Sequence, residues 1–158
     1  MPTVTPFLTF VDQAEEAAAL YVSIVPRSKI TQVTRYPAGG PRPEGSVMTV
    51  SFELDGLPVV ALNGGESFKF SNAFSLTVTC TTQAEVDDLT DKLIAGGGHE
   101  VACGWVHDRF GLAWQVTPAI LPELLVGTDR ARVERVMHAM MQMTRIDIAA
   151  LHRAAAAG

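Results

Sequence analysis

Cys103-Gly104-Trp105 is the densest chemical feature of the chain. A thiol beside glycine permits close approach to the backbone, and an indole offers a flat surface for stacking. Trp114-Gln115 adds a second indole and an amide. Asn63-Gly64-Gly65 can present amide groups to a ligand, and Phe68 and Phe70 can lid a cavity. Each residue also has a plainer reading. Cys103 serves as a small buried hydrophobe, and Trp105, Trp114 and Gln115 as core packing. The two glycines suit a turn with positive φ, and the phenylalanines suit anchors for a connector.

The histidines are His99, His107, His138 and His152, and none makes a His-x-His or His-Glu-x-x-His pattern. The helical zinc spacing of a metalloprotease is therefore missing. His107 beside Asp108 can form a general acid–base pair, and its place in a turn equally suits a solvent-exposed ring. His138 and His152 are expected on the surface of C-terminal helices. Cys80 and Cys103 are too few for a disulfide framework and are expected to be reduced.

The elements that must position these groups follow from periodicity and punctuation. Val4 to Phe10 reads as a strand begun or edged by Pro6, and a helix capped by Asp12 runs to Pro26. Alternation predicts strands over Lys29 to Tyr36, Ser46 to Leu54 and Leu57 to Asn63, with Asp55-Gly56 as a hairpin turn. A second strand–helix series starts at Ala73 to Cys80. Thr82 and Glu85 have capping-box spacing, and Gly96-Gly97-Gly98 stops the helix. Glu100 to Val106 is read as extended, Asp108 to Gly111 as a turn and Leu112 to Thr117 as a strand. Ile120 to Val126 reads as a short helix, and Thr128 starts a longer one with Val133, Val136, Met137, Met140 and Met141 on one face. Thr144 and Asp147 form a capping-box-like pair before a last helix to about Ala157.

The two halves repeat. Gln13-Ala14-Glu15 answers Gln83-Ala84-Glu85, and the same offset puts Thr5 on Ser75, Leu8 on Val78 and Phe10 on Cys80. Asp55-Gly56-Leu57 answers Phe110-Gly111-Leu112, which puts Val60 on Gln115. The expected fold class is α+β: paired βαβββ modules forming a cupped sheet, with C-terminal helices. The modules are assigned to residues 1–66 and 73–122 and the helical extension to 128–157, within one compact domain. Two such modules joined edge to edge are expected to enclose a cavity, where ligand sites concentrate.

Bulk composition narrows the function classes. Of 158 residues, 47% are hydrophobic and 18% charged, enough apolar material for a core. A net charge of −5 favours neither a nucleic-acid backbone nor an anionic membrane. No apolar run reaches the length of a membrane span, and the N-terminus shows no secretory signal. The expected compartment is cytoplasmic.

The residue pattern resembles the vicinal oxygen chelate superfamily of glyoxalase I, extradiol dioxygenases and bleomycin-resistance proteins. Within it the chain resembles the PhnB-like branch, which carries a "3-demethylubiquinone-9 3-methyltransferase" domain label. The resemblance rests on Thr5-Pro6-Phe7-Leu8, Ala14-Glu15-Glu16-Ala17, Gly45-Ser46-Val47-Met48, Leu62-Asn63-Gly64-Gly65, Cys103-Gly104-Trp105, Asp108-Arg109-Phe110-Gly111, Trp114-Gln115 and Ile146-Asp147-Ile148. It implies a divalent metal held by side chains from the first and last strand of each module. Those positions fall near Thr5 or Pro6, near Val60 or Leu62, at Ser75 and at Gln115, and only Gln115 can ligate. No metal and no cofactor is therefore expected. The methyltransferase label implies a glycine-rich loop after the first strand, and Asp12-Gln13-Ala14-Glu15 stands there instead.

The expected function is binding of a small organic molecule without the usual metal, with Cys103, Trp105, Trp114, Gln115, Asn63 and Phe70 at the ligand. The alternatives are a metal-dependent lyase, isomerase or dioxygenase, and a structural dimer with a vestigial pocket. Family resemblance and the methionine-rich C-terminal segment imply a homodimer.

Overall fold

The computed structural model describes all 158 residues, Met1–Gly158. The chain divides into two compact units, Met1–Lys69 and Phe70–Gly158. The α+β class, the two βαβββ modules and the C-terminal helices are all present, and each module builds its own four-stranded sheet.

In the first unit β1 is Phe7–Phe10, α1 Ala14–Ile24, β2 Lys29–Arg35, β3 Val47–Leu54 and β4 Leu57–Asn63. Pro6 delays the first strand, as a residue without an amide hydrogen should. The sheet order is β1-β4-β3-β2. It is mixed rather than wholly antiparallel, because β1 pairs parallel with β4. The cause is the path of the chain. The return through α1 leaves β2 pointing the same way as β1, and two hairpin reversals bring β4 back to that direction. Asp55 and Gly56 both have positive φ, +48° and +82°, as a tight two-residue hairpin demands.

Helix α1 lays Ala14, Ala17, Ala18 and Tyr21 on one face of this sheet, against Leu8, Phe10, Val50, Phe52, Val59 and Ala61. The alanines allow close approach, and the Tyr21 and Phe52 rings pack with centroids 6.3 Å apart. Asp12 does not cap this helix. Its N-cap is Gln13, which makes no side-chain cap bond, and the free amide of Ala14 instead donates to Asn63 Oδ1 at 2.8 Å.

The second unit repeats the plan with β5 Ser75–Cys80, α2 Gln83–Ile94, β6 His99–Glu100, β7 Trp105–His107 and β8 Ala113–Pro118, in the order β5-β8-β7-β6. The register follows the alignment of the halves. Phe7 pairs with Val60 and Thr77 with Gln115; Phe10 pairs with Asn63 and Cys80 with Pro118. The Thr82–Glu85 capping box is formed, and α2 buries Val86, Leu89, Thr90 and Leu93. The extended stretch after α2 is two short strands separated by a turn in which Cys103 and Gly104 have φ of +59° and +80°.

Three helices follow, α3 Ile120–Leu124, α4 Arg130–Met141 and α5 Ile148–Ala156. Leu121, Leu124, Val136, Ile146 and Leu151 form their core, with Met140 and Met143 packed on it. The methionines do not share one face: Met137 and Met141 are 39% and 63% exposed. Asp147 is the N-cap of α5, its side chain accepting from Ala150 N.

Candidate functional site

Helix α2 covers one face of the second sheet, where Val106, Trp114 and Val116 are buried. Strand alternation sends their neighbours to the other face. Trp105, Gln115 and Thr77 lie side by side there, and His107, Ala113 and Ser75 form the next row. His99 sits opposite His107 on the edge strand. On this open face lies a pocket of about 310 Å³ lined by Asn72, Val101, Ala102, Cys103, Trp105 and His107.

The polar end of the pocket is a pair. His107 Nε2 lies 2.6 Å from Asn72 Oδ1. The oxygen can only accept, so this contact selects the tautomer protonated at Nε2 and leaves the lone pair on Nδ1. The His99 ring stands edge-on to His107 with centroids 4.9 Å apart. Asp108 is not the partner of His107. It points to the opposite face, where Oδ1 accepts from the amides of Phe110 and Leu112 and Oδ2 accepts from Trp114 Nε1 at 2.9 Å. The sequence pair His107-Asp108 is thus split by strand alternation.

The turn that presents Cys103 is held by the C-terminal segment. The Cys103 amide donates to Met143 O at 2.9 Å and the Gly104 amide to Thr144 O at 2.8 Å. Cys103 Sγ lies 3.6 Å from Met140 O. A Cβ on Gly104 would stand 2.8 Å from Val116 O and 2.9 Å from Ile146 Cγ1. The close approach that glycine permits is therefore to the chain itself, not to a ligand. Gln83 fastens the same segment, donating from Nε2 to Ile146 O and accepting at Oε1 from Ile148 N.

Arg145 adds an ionic clamp, with hydrogen bonds to Asp91, Glu100 and, at longer range, Asp87. Burial opposes its charge, but the Asp91 and Glu100 carboxylates outweigh that and raise its pKa further.

The sequence-predicted residues divide by place. Cys103 and Trp105 line the pocket, and Gln115 is half-buried on the same open face beside Trp105. Trp114 is 1% exposed and belongs to the core against α2, its indole bound to Asp108. Asn63, 5% exposed, caps α1 through Oδ1 and donates from Nδ2 to Val47 O. Phe70 is half-buried in the connector and does not line the pocket. Asn72, Val101 and Ala102 line the pocket without any mark in the sequence, and His99 carries no motif that places it beside His107. The hairpin register gives His99 once β6 and β7 are paired, whereas nothing in the connector sequence marks Asn72.

The metal positions implied by the resemblance can be judged by their donors. In the second unit Gln115 Nε2 donates to Ser75 Oγ at 2.9 Å, so these two groups bind each other. In the first, Pro6 and Val60 meet through a backbone bond, Val60 N to Pro6 O. No three His, Cys, Asp or Glu side chains converge anywhere in the chain. This donor set does not fit a divalent transition metal. A hollow at the start of α1 is lined by Asp12, Glu15 and Glu16, which the positive end of the helix dipole suits.

Comparisons with known proteins agree with this geometry. The family model for 3-demethylubiquinone-9 3-methyltransferase matches residues 2–117. A Bacillus cereus PhnB protein of known structure is 34% identical, with a TM-score of 0.68, covering 75% of this chain and 100% of its own. Protein PA1353 from Pseudomonas aeruginosa is 19% identical with a TM-score of 0.60, covering 75% of this chain and 98% of its own. A search of curated proteins found no match. The matched region ends before α3, so the helices that hold the Cys103 turn lie outside it. On this fold, these strand registers and this match, the chain belongs to the 3-demethylubiquinone-9 3-methyltransferase family, the PhnB-like branch of the vicinal oxygen chelate superfamily.

Proposed function

We propose that this chain binds a small, planar, mostly apolar organic molecule on the open face of its second sheet. The observation that carries the reading is the pocket itself. Val101, Ala102 and Trp105 supply an apolar wall, and the His107–Asn72 pair supplies one oriented polar group. Its volume of about 310 Å³ suits a ligand of one or two rings. Trp105 is the stacking surface, His107 Nδ1 accepts a hydrogen bond from the ligand, and Gln115 borders the site. The family's four metal positions take no part, because their side chains are poor donors.

We also propose that the methyltransferase label does not describe the activity. Strand β1 passes to α1 through Val11, Asp12 and Gln13, without the glycine-rich loop that a nucleotide-derived methyl donor uses. A homodimer is proposed as well, with the exposed Met137 and Met141 of α4 in its interface.

Thermal-shift screening with planar aromatic and keto compounds tests the ligand reading. A true ligand at 100 times its Kd stabilises by about 2.7 kcal/mol. Trp105→Ala is expected to abolish that shift while leaving the unliganded melting transition cooperative. Hits that stabilise Trp105→Ala as well as the wild type would overturn the assignment of the site.

A further inference from the structure

We infer that His99, His107 and Asn72 form a divalent transition-metal site at the edge of the second sheet, separate from the four strand positions the family uses. This goes beyond the ligand reading and stands without it.

The register carries the argument. His99 and His107 are direct partners across β6 and β7, so both side chains leave the same face of the sheet. Directly opposed residues have Cβ atoms about 4.5–5.5 Å apart, and these two rings have centroids 4.9 Å apart at an interplanar angle of 68°. Zinc and its neighbours take imidazole nitrogen at about 2.0–2.1 Å. Two rings at this spacing reach one ion once the edge-on ring turns about χ2. His99 is exposed and that torsion is broad, so the turn meets little resistance.

Asn72 supplies a third donor. Its Oδ1 lies 2.6 Å from His107 Nε2; when an ion takes that Nε2, the ring proton moves to Nδ1 and Oδ1 turns from the ring to the ion beside it. Glu100, the next residue of β6, is held by Arg145 and adds no carboxylate. Two imidazoles and one amide oxygen select zinc, nickel, copper or cobalt over magnesium or calcium, which prefer oxygen donors alone. All three donors are neutral, so the ion keeps its full charge. Because Asn72 and His107 line the pocket, its open coordination positions are available to an anionic oxygen on a ligand there.

The test uses the full chain without an affinity tag, stripped with chelator and titrated with cobalt, zinc and magnesium. Calorimetry and the cobalt visible spectrum are the readouts. One equivalent of cobalt or zinc per chain is expected, and no magnesium. His99→Ala and His107→Ala are each expected to weaken binding at least about tenfold, Asn72→Ala less. Gln115→Ala and the paired change of His138 and His152 to alanine should leave it unchanged. Because His99 is exposed, its variant reports on the site even if His107→Ala fails to fold. Absence of saturable binding, retention of binding in His99→Ala, or loss in Gln115→Ala would overturn the inference. Trp105→Ala separates the two readings, since it removes the organic ligand and not the metal.

Discussion

Asn63 joins three segments that local sequence leaves unconnected. Its Oδ1 takes the free amide of Ala14, its Nδ2 reaches Val47 O, and its own carbonyl accepts from the Tyr36 hydroxyl at 2.6 Å. Removing the side chain takes the partner from a buried amide, Ala14 N, and from the half-buried Val47 carbonyl. Asn63→Ala is therefore expected to destabilise the protein by about 2 kcal/mol in denaturant melts. Asn63→Asp keeps the cap but turns an acceptor toward Val47 O, so it should not restore full stability. Cys80 makes a pH prediction. Desolvation by burial, with a smaller contribution from Glu85, pushes its thiol from 9.0 to about 11. The fold favours the protonated thiol, so its contribution is complete below about pH 9 and is lost as pH rises toward 11. Wild type should lose more stability across that window than Cys80→Ala in paired urea melts. Residue roles were the least legible part of the sequence. Asn63 and Trp114 carry groups that suit a ligand, and only strand alternation and a contact distant in sequence show that both are structural. His107 pairs with Asn72 rather than with adjacent Asp108 for the same reason.

The elements were easier to read, because hydrophobic alternation, the Asp55-Gly56 turn and the Thr82–Glu85 box are local signals. What escaped was set by long-range contact. The split of β6 from β7 depends on the Cys103-Gly104 turn, whose amides bond to Met143 and Thr144 far down the chain. The two faces of α4 likewise depend on where Ile146 and Leu151 pack. Arg145 is the ionic part of that docking. Its bonds to Asp91 and Asp87 are mostly exposed and worth little, whereas Glu100 is 22% exposed and Arg145 itself 27%. Arg145→Ala is therefore expected to loosen α4 and α5 from α2 and β6 by about 2 kcal/mol. Hydrogen exchange should quicken in residues 119–158 before it does in β5 or β8.

Over the whole molecule, the repeat was legible because both offsets that align the halves also describe strand pairing. Thr77 opposite Gln115 mirrors Phe7 opposite Val60. No helix is long and apolar enough to cross a membrane. The proposed homodimer sets the mass of the assembly. Sedimentation equilibrium is expected to give twice the 16.9 kDa chain mass, and Met137→Glu with Met141→Glu should shift it to the single chain. A concentration-independent monomer in the wild type would remove the proposal.

The cysteine turn has one more consequence, which is kinetic. Cys80 is sealed in the core, while Cys103 is half-buried at the seam between the sheet and the C-terminal helices. An alkylating reagent applied to the native protein should therefore mark Cys103 alone. When reclosing outruns the reagent, the labelling rate follows the fraction of molecules in which the seam stands open. The protein thus contains its own stopwatch for that opening. A seam weakened by about 2 kcal/mol, as in Arg145→Ala, should make it run about 30 times faster.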